Sequence, residues 1–153
     1  RSWLVLMALT GAEPRTRWTS ATIGRPDGDD TATSLILTVR DPDHGRQVAL
    51  EALELAIALY RLGMREPLPL FPDLSYKICK GSAGGSDWKG FRNTGAGYDE
   101  HNAVAFADYT YDDLRAIPAR SDDPGRGERR IEVISRAIWK SVLSTSDNSG
   151  TYP

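Results

Sequence analysis

The sequence lacks the features of small secreted domains and of membrane proteins. Cys79 is the only cysteine, so the chain cannot form an internal disulfide, which fits a reducing compartment. No apolar run reaches the roughly 20 residues that a transmembrane helix needs. The apolar segment at residues 3–9 lacks a signal-peptide cleavage site. These absences predict a cytoplasmic protein with no membrane partner.

The sequence also lacks an excess of positive charge. Its 19 Lys and Arg residues are outnumbered by 21 Asp and Glu residues, which gives a formal net charge of -2 at pH 7. Free-standing nucleic-acid binders usually have a strong basic excess. Any basic surface in this chain must therefore be local.

Signatures of nucleotide and metal binding are missing as well. Residues 81–86 are glycine-rich, but they lack the Gly-Lys-Ser/Thr ending of a phosphate-binding loop, so a flexible linker is the preferred interpretation. His44 and His101 have no cysteine or second histidine at metal-ligand spacing. We expect no cofactor to bind this segment itself.

Apolar periodicity predicts a mixture of helices and strands. Helical spacing is found over residues 3–10, 43–62, 74–80 and 128–144, and a short helix is predicted after residue 110. Runs of β-branched and aromatic residues predict strands over residues 18–23, 34–39 and 102–107, with the first two forming a hairpin. The pattern indicates an α/β fold of the α+β type, in which helices flank a small sheet. Residues 1–144 are predicted to form one domain, followed by a frayed tail at residues 145–153.

The long helix carries an unusually broad apolar surface. Leu50, Leu53, Ile57 and Tyr60 share one face at helical spacing, and further leucines widen it. Asp41-Pro42-Asp43 is typical of a helix N-terminus, and Gly63 is expected to end the helix with a left-handed cap. A different helix, the short one predicted after residue 110, begins with the Thr110–Asp113 pair, which fits a capping box at its N-terminus.

A proline-stiffened segment follows the long helix. Pro67, Pro69 and Pro72 each fix φ and lack a backbone donor, so neither a helix nor a central strand can pass through. Leu68 and Leu70 alternate with proline, and we expect them to dock on one side. The structural residues predicted for this joint are Gly63, Pro67, Leu68, Pro69 and Leu70.

Positive charge is concentrated in the middle of the chain, interleaved with Tyr76, Trp88 and Phe91. Such a mixture can follow a phosphate backbone and stack on bases. It is also compatible with a solvated surface whose aromatic residues anchor a loop. The candidate DNA-binding residues are Arg61, Arg65, Lys77, Lys80, Lys89 and Arg92.

A short pattern typical of magnesium-dependent nucleases is also present. Pro72-Asp73 and Asp87-Trp88-Lys89 match the proline-aspartate and aspartate-x-lysine elements, in which two carboxylates hold magnesium and a lysine helps to activate water. Glycines flank Asp87 and Lys89, so no strand that would give rigid metal geometry is expected there. We interpret the match as a surface coincidence, with an active nuclease as the alternative.

Residues 59–72 resemble a segment near the C-terminus of the RecC family, the gamma subunit of exodeoxyribonuclease V. The resemblance depends on Tyr60-Arg61, Gly63 and Pro67-Leu68. Other elements follow in matching order, among them the early helix, the strand that ends at residue 23, and the final helix with Ile138-Trp139. Residues 80–97 depart from the family pattern, with glycines where the family has more helical sequence.

The resemblance implies a non-catalytic domain, similar to a restriction-endonuclease-like nuclease fold that has lost its catalytic carboxylates. It implies a heterotrimer with RecB and RecD that acts on DNA as an ATP-dependent helicase and nuclease in double-strand-break repair by recombination. RecC helps to split the duplex and guides the single strand, while the partner subunits use ATP and magnesium. Because the sequence begins abruptly without methionine, we expect a piece of a longer protein. A pure protein-interaction domain is a further alternative.

Overall fold

The computed structural model describes residues 2–24, 33–39, 44–90 and 95–147. The chain forms two compact units, one within residues 1–56 and 141–153 and the other within residues 57–140. The helices are α1 (Ser2–Ala12), α2 (Gly45–Gly63), α3 (Pro72–Lys80), α4 (Gly85–Trp88), α5 (Glu100–Ala105), α6 (Tyr111–Ala116) and α7 (Arg130–Ser144). The strands are β1 (Thr19–Gly24), β2 (Thr33–Thr38) and β3 (Ser146–Asp147). This composition confirms the predicted α+β class.

The first unit contains the antiparallel sheet, in the order β1-β2-β3. The predicted hairpin is confirmed, because β1 and β2 pair with Ala21 opposite Ile36 and Thr19 opposite Thr38. The hydroxyl groups of Thr19 and Thr38 lie 3.1 Å apart, a cross-strand hydrogen bond of the kind that stabilises such pairs. The sequence at residues 25–30, with Pro, Gly and three Asp residues, is typical of a turn, but these residues lie outside the described part of the chain.

The start of the predicted tail is part of this sheet. Ser146 pairs with Leu37, and the Thr38 N–H donates to the Thr145 carbonyl at 2.7 Å. Thr145 itself is buried. The prediction of a frayed tail is therefore wrong for residues 145–147, because these residues satisfy backbone groups along β2 that would otherwise lack partners. The remaining tail, residues 148–153, lies outside the described part of the chain.

Helix α1 forms as predicted and supplies much of the first unit's core. Trp3, Leu6, Met7 and Thr10 are buried at the spacing of one helical face. The Thr10 hydroxyl donates to the Leu6 carbonyl at 2.8 Å, so a polar side chain is accommodated in the buried stripe. The helix contacts β1 and β2, where Leu37 is also buried.

Helix α2 forms as predicted, but it buries a different face. Ala49, Ala52, Leu59 and Leu62 are buried, whereas Leu50, Ile57 and Tyr60 of the predicted face are exposed. Apolar residues surround so much of this helix that periodicity alone does not select the buried side. The predicted N-terminal cap at residues 41–43 lies outside the described residues. No helix among the described residues has both the length and the apolar content needed to cross a membrane.

The left-handed helix cap occurs at Gly81 and not at Gly63. Gly63 is the last residue of α2 and is absent from the glycines with positive φ, and the Met64 N–H continues the helical pattern to the Tyr60 carbonyl at 2.9 Å. Gly81 has φ 73° and follows α3. Its N–H bonds to the Ile78 carbonyl and the next N–H, of Ser82, bonds to that of Lys77, which is a Schellman motif. The flexible-linker prediction for residues 81–86 is therefore wrong, since these residues cap α3 and begin α4.

An aromatic cluster forms the centre of the second unit. The Phe71 ring lies 4.8 Å from Trp88 and 5.5 Å from Phe106, measured between centroids. The Trp88 indole N–H donates to the Tyr109 carbonyl at 2.7 Å, so its polar atom is satisfied inside the core. The buried residues of this core are Phe71, Leu74, Ile78, Trp88, Phe106, Leu114 and Ile131.

Two glycines lie directly against Trp88. A Cβ on Gly95, which has φ 104°, would lie 2.6 Å from the Trp88 carbonyl oxygen. A Cβ on Gly97 would lie 2.9 Å from the same atom. Both separations are shorter than real Cβ contacts, so the backbone can approach the tryptophan this closely only because these residues lack side chains.

Residues 102–107 were predicted to form a strand, but most of them belong to helix α5. The Asp99 carboxylate accepts hydrogen bonds from the N–H groups of His101 and Asn102, which caps the helix. The Asn102 side-chain amide donates to the Ala96 carbonyl at 2.9 Å. The prediction is wrong because this local capping overrides the β-propensity of a short apolar run.

The last two helices match the prediction closely. The Thr110 hydroxyl accepts from the Asp113 N–H while the Asp113 carboxylate accepts from the Thr110 N–H, which confirms the predicted capping box of α6. The helical spacing of Ile131, Ile134, Ile138 and Val142 predicts a buried stripe on α7, of which Ile131 and Ile134 are fully buried and the other two half-buried. Glu132 and Arg136, four residues apart on the outer side of α7, form an ion pair at 3.1 Å, as their helical spacing allows.

The proline segment buries alternate residues, in the opposite phase to the prediction. Pro69 and Phe71 are buried, whereas Leu68 and Leu70 are only half-buried and Pro67 is exposed. Leu68 folds back toward Gly63, whose added Cβ would lie 3.7 Å from the leucine Cδ1. The segment therefore docks through Pro69 and Phe71, because Phe71 belongs to the aromatic core.

A buried ion-pair network fixes the N-terminal end of α7. The guanidinium group of Arg130 is 3% exposed and donates to Asp123 at 3.0 Å and to Glu66 at 2.7 Å. Glu66 also accepts from Arg120 at 2.8 Å. The hydrogen bond from Arg130 is the main cause that lowers the pKa of the Glu66 carboxyl. Together, these bonds tie the proline segment, the loop after α6 and α7 to one another.

Replacing Arg130 should strongly destabilise the second unit. In Arg130→Met, Asp123 keeps a buried carboxylate with no cation, and breaking a buried pair in this way costs about 3–5 kcal/mol. The matched control, Arg129→Met, removes only an exposed pair with Glu132 at 3.0 Å, which is worth about 1 kcal/mol or less. Urea unfolding followed by circular dichroism measures both losses, and equal losses would contradict this account.

Candidate nucleic-acid interface

Two of the predicted DNA-binding cations lie at the end of α2. Arg61 belongs to the last turn of the helix and is exposed. Arg65 follows it by four residues, and its guanidinium lies 3.7 Å from the Asp122 carboxylate. Both partners of this pair are well exposed, so it is weak and leaves Arg65 accessible. Cations at a helix C-terminus are also favoured by the helix dipole.

Two more of the predicted DNA-binding residues, Lys77 and Lys80, lie one helical turn apart on helix α3. The Lys80 amine lies 5.8 Å from the centre of the Tyr76 ring. Tyr76 in turn packs edge-on against Trp139, with ring centroids 5.1 Å apart. Lys80 therefore presents an exposed charge beside an aromatic ring, which is the combination that the sequence predicted.

Lys77 differs from Lys80 because its charge is already paired. Its amine donates to the Asp87 carboxylate at 2.5 Å, and Asp87 also accepts from the Gly84 N–H at 2.8 Å. The Lys77 hydrogen bond is the main cause that lowers the pKa of Asp87, and the same bond raises the pKa of Lys77. The pair links the end of α3 to the start of α4 across residues 81–84.

The amine of Lys89 is also engaged in a hydrogen bond within the chain. It donates to the Ala107 carbonyl at 2.6 Å, which joins the end of α4 to the residues after α5. Arg92 and Phe91, which were predicted to act with it, lie outside the described residues. All five described members of the set are exposed, but only Arg61, Arg65 and Lys80 are without a short hydrogen bond from the charged group to another part of the described chain.

The structure places the two nuclease-like carboxylates on helices and not on neighbouring strands. Asp73 and Asp87 line the same cavity of about 570 Å³, together with Lys77, but they lie on helices α3 and α4. Lys89 is bound to the Ala107 carbonyl instead of facing this cavity. Among the described residues, no group of three His, Cys, Asp or Glu side chains is arranged to hold a metal ion.

Asp87 has a structural role that the sequence analysis did not predict. It caps α4, pairs with Lys77 and lines the cavity. A signal was present, because glycine followed three residues later by an acidic residue is compatible with a helix N-terminus. The neighbouring glycines favoured the linker interpretation and concealed it.

Stability should depend on the ionisation of Asp87 in acid. Because the pKa of Asp87 is lowered in the folded state, the unfolded chain takes up this proton first as the pH falls. The stabilisation by the pair is therefore complete at neutral pH and is lost as the pH falls through the lowered pKa. At the alkaline end it is lost as the pH rises through the raised pKa of Lys77.

Asp87→Asn tests this dependence, since asparagine can still accept from Gly84. The variant should be less stable than the natural chain at neutral pH, and the difference should vanish in acid. Thermal unfolding across the pH range measures it. Asp108→Asn, which changes an exposed carboxylate without a hydrogen bond in the described part of the chain, is the control. A difference for Asp87→Asn that persists unchanged into acid would refute the proposed pairing.

Comparison with known proteins supports the family predicted from residues 59–72. The model of the family described as the RecC C-terminal domain matches residues 1–83, which include α1, the β1-β2 hairpin, α2, α3 and the proline segment. Searches among curated proteins and among solved structures gave no significant match. Since the matched region exceeds half of the 153 residues, the chain belongs to the RecC C-terminal domain family.

Proposed function

We propose that this chain is a non-catalytic part of the RecC subunit in a RecBCD-type helicase and nuclease of the cytoplasm. In this role it contacts DNA at a duplex end, supports strand separation and guidance of the single strand, and helps to hold RecB and RecD during double-strand-break repair. Membership of the RecC C-terminal domain family is the observation that carries the proposal. ATP and magnesium are used by the partner subunits.

The lack of a catalytic role follows from how the nuclease-like residues are engaged. Asp87 already accepts hydrogen bonds from Lys77 and Gly84, and Lys89 donates to Ala107. Magnesium binding and water activation by these residues would require both arrangements to break. These bonds support the interpretation that Asp87 and Lys89 serve the local structure and not a nuclease reaction.

DNA contact is proposed through the exposed cations Arg61, Arg65 and Lys80. Each can reach a phosphate without losing a strong internal partner, and Tyr76 next to Lys80 offers a ring for base stacking. Lys77 and Lys89 would first have to leave Asp87 and the Ala107 carbonyl, so their contribution is expected to be small. The small number of free cations predicts modest affinity and a shallow salt dependence, because the slope of log K against log salt scales with the number of phosphates contacted.

Binding to a forked DNA duplex should weaken when two of these cations are removed. For Arg65→Gln with Lys80→Gln, fluorescence anisotropy at low salt should show lower affinity. Each lost phosphate contact should reduce the slope of log K against log salt by about 1. The reason is that each neutralised phosphate releases counterions when the protein binds.

Lys140→Gln is the matched control, because it removes an exposed cation of α7 that has no partner in the described part of the chain. It should leave both the affinity and the slope nearly unchanged. If the natural chain does not bind the forked duplex at low salt, the proposal that this domain contacts DNA is wrong. The domain would then be left with subunit assembly alone, as a pure protein-interaction domain.

Linear DNA incubated with the chain and magnesium should remain intact. The arrangement of Asp73, Asp87 and Lys89 offers no catalytic set, so Asp87→Ala should give the same gel pattern as the natural chain. Cleavage that disappears in Asp87→Ala would establish the nuclease alternative and overturn the non-catalytic assignment. Cleavage that persists in the variant would indicate a contaminating enzyme.

A further inference from the structure

A small cavity of the first unit is lined mainly by the segment that connects α1 to β1. Its volume is about 220 Å³, and residues 14–18 form most of its wall. Thr10 from the last turn of α1 and Val39, which follows β2, complete the lining. All of these residues belong to the first unit. We call this feature the arginine cavity, after Arg15 and Arg17.

The two arginines of this cavity have unused charges. Arg15 and Arg17 are both exposed, and neither forms an ion pair or a hydrogen bond within the described part of the chain. Arginines of the second unit differ, since Arg120 and Arg136 each bind a glutamate. The dipole of α1 favours a cation just after its C-terminus, which accounts for Arg15 but not for Arg17. Two guanidinium groups therefore remain available beside one small cavity, in a chain whose net charge is -2.

Two further side chains of the arginine cavity are also donors. Trp18 lines it, and the indole N–H of this residue is buried with no acceptor among the described residues. The Thr16 hydroxyl can donate as well and forms no hydrogen bond in the described part of the chain. Guanidinium and indole groups can only donate. No Asp or Glu is among the described residues that line the cavity. This excess of donors is the complement of an anion.

The indole N–H of Trp18 is the group that most needs an acceptor. A buried donor without an acceptor costs free energy, and such groups are rare in folded proteins. Trp18 is half-buried and lies outside the helices and strands. A small rotation of its ring would bring the N–H to an oxygen held beside the arginines. A bound anion would then remove this cost.

We propose that the arginine cavity binds a phosphate group of DNA. The planar forks of Arg15 and Arg17 donate to phosphate oxygens, and Thr16 and Trp18 donate to the remaining acceptor positions. Pockets for whole small molecules usually exceed roughly 300 Å³. The cavity therefore takes one phosphate group of a longer molecule and not a complete nucleotide. The choice of DNA rests on the proposed function, but the site is an additional one, because its residues differ from the exposed cations proposed above.

A carboxylate from an acidic protein segment is the competing ligand. It presents two oxygens in one plane, whereas a phosphate group presents its oxygens tetrahedrally and accepts from more directions. Four consecutive residues, 15–18, each carry a side-chain donor. This set of donors fits a phosphate group better than a carboxylate.

Nuclear magnetic resonance of the tryptophan indole N–H groups tests the site in the natural chain. Inorganic phosphate and a single-stranded oligothymidylate, with or without a terminal phosphate, are titrated at low salt. The indole signal of Trp18, identified by its loss in Trp18→Phe, should move as its N–H gains an acceptor. The signals of Trp3 and Trp88 should stay in place, because neither residue lines the cavity and Trp88 already donates to Tyr109.

The two oligonucleotides distinguish the sources of the phosphate. Movement of the Trp18 signal only with the terminal phosphate supports a site for a DNA end. Equal movement with both oligonucleotides supports a site for the internal backbone.

Substitution of the arginines tests which side chains hold the phosphate. Arg15→Gln and Arg17→Gln each remove one fork without breaking a bond in the described part of the chain. Each variant should bind the oligonucleotide at least about tenfold more weakly, since a hydrogen bond between charged groups is lost. Arg17→Lys should recover only part of the affinity, because an ammonium group lacks the planar fork. Arg46→Gln, at an exposed arginine of the same unit outside the cavity, is the matched control and should bind like the natural chain.

A second indole signal separates this site from the DNA contact proposed above. DNA bound at Lys80 should move the signal of Trp139, whose ring packs against Tyr76 beside that lysine. Movement of Trp139 without Trp18 refutes the phosphate site and leaves the proposed contact intact. Movement of Trp18 without Trp139 supports the phosphate site and contradicts the contact at Lys80.

Three results would overturn the proposal. The first is a Trp18 signal that does not move at high oligonucleotide concentration. The second is an unchanged affinity of Arg17→Gln, with circular dichroism showing that the variant is folded. The third is a polyglutamate peptide that binds the cavity as tightly as the oligonucleotide, because the ligand would then be an acidic protein segment.

Discussion

The second unit depends most on the ion pairs that the guanidinium group of Arg130 forms with Glu66 and Asp123. This guanidinium group is almost fully buried, and a charge in that position is tolerated only when nearby carboxylates pair with it. Glu66 and Asp123 provide this pairing from opposite parts of the chain, one before the prolines and the other after α6. The ion pair between Glu66 and Arg130 therefore fixes the direction in which the proline segment leaves α2. The packing of Pro69 and Phe71 fixes the position of the segment in the core.

Local hydrogen bonding decides which of the basic residues remain available for a ligand. Lys77 and Lys89 hold neighbouring elements together, and Lys80, Arg61 and Arg65 remain at the surface. A cation that fixes its own fold contributes little to binding unless that bond is broken. Of the five described residues in the candidate DNA-binding set, two therefore hold the fold together and three are available to a ligand.

Features governed by local chemistry could be predicted from the sequence. The capping box of α6, the apolar stripe of α1 and the β1-β2 hairpin each depend on residues within a few positions or on a simple alternation. The buried face of α2 could not be predicted, because apolar residues occupy most of its circumference. The same holds for the roles of the lysines: Lys89 binds a carbonyl 18 residues away, and no sequence pattern indicates such a partner.

Residues 102–107 carry two competing local signals, an apolar run and a helix cap. The apolar run alone favours a strand, but the Asp99 carboxylate and the Asn102 amide satisfy backbone groups in a way that only a helix allows. The left-handed cap was similarly assigned to Gly63, when the helix that needed it was α3, ending before Gly81. In both cases the deciding factor was where backbone hydrogen bonds find partners.

The close approach of Gly95 and Gly97 to Trp88 also limits how this region can change during evolution. Neither glycine has room for a methyl group, so a substitution at either position would displace the tryptophan backbone and the rings packed on it. The Cβ of any residue at position 95 would meet backbone atoms of residues 87 and 88, so the need for glycine there does not depend on which side chain occupies position 88.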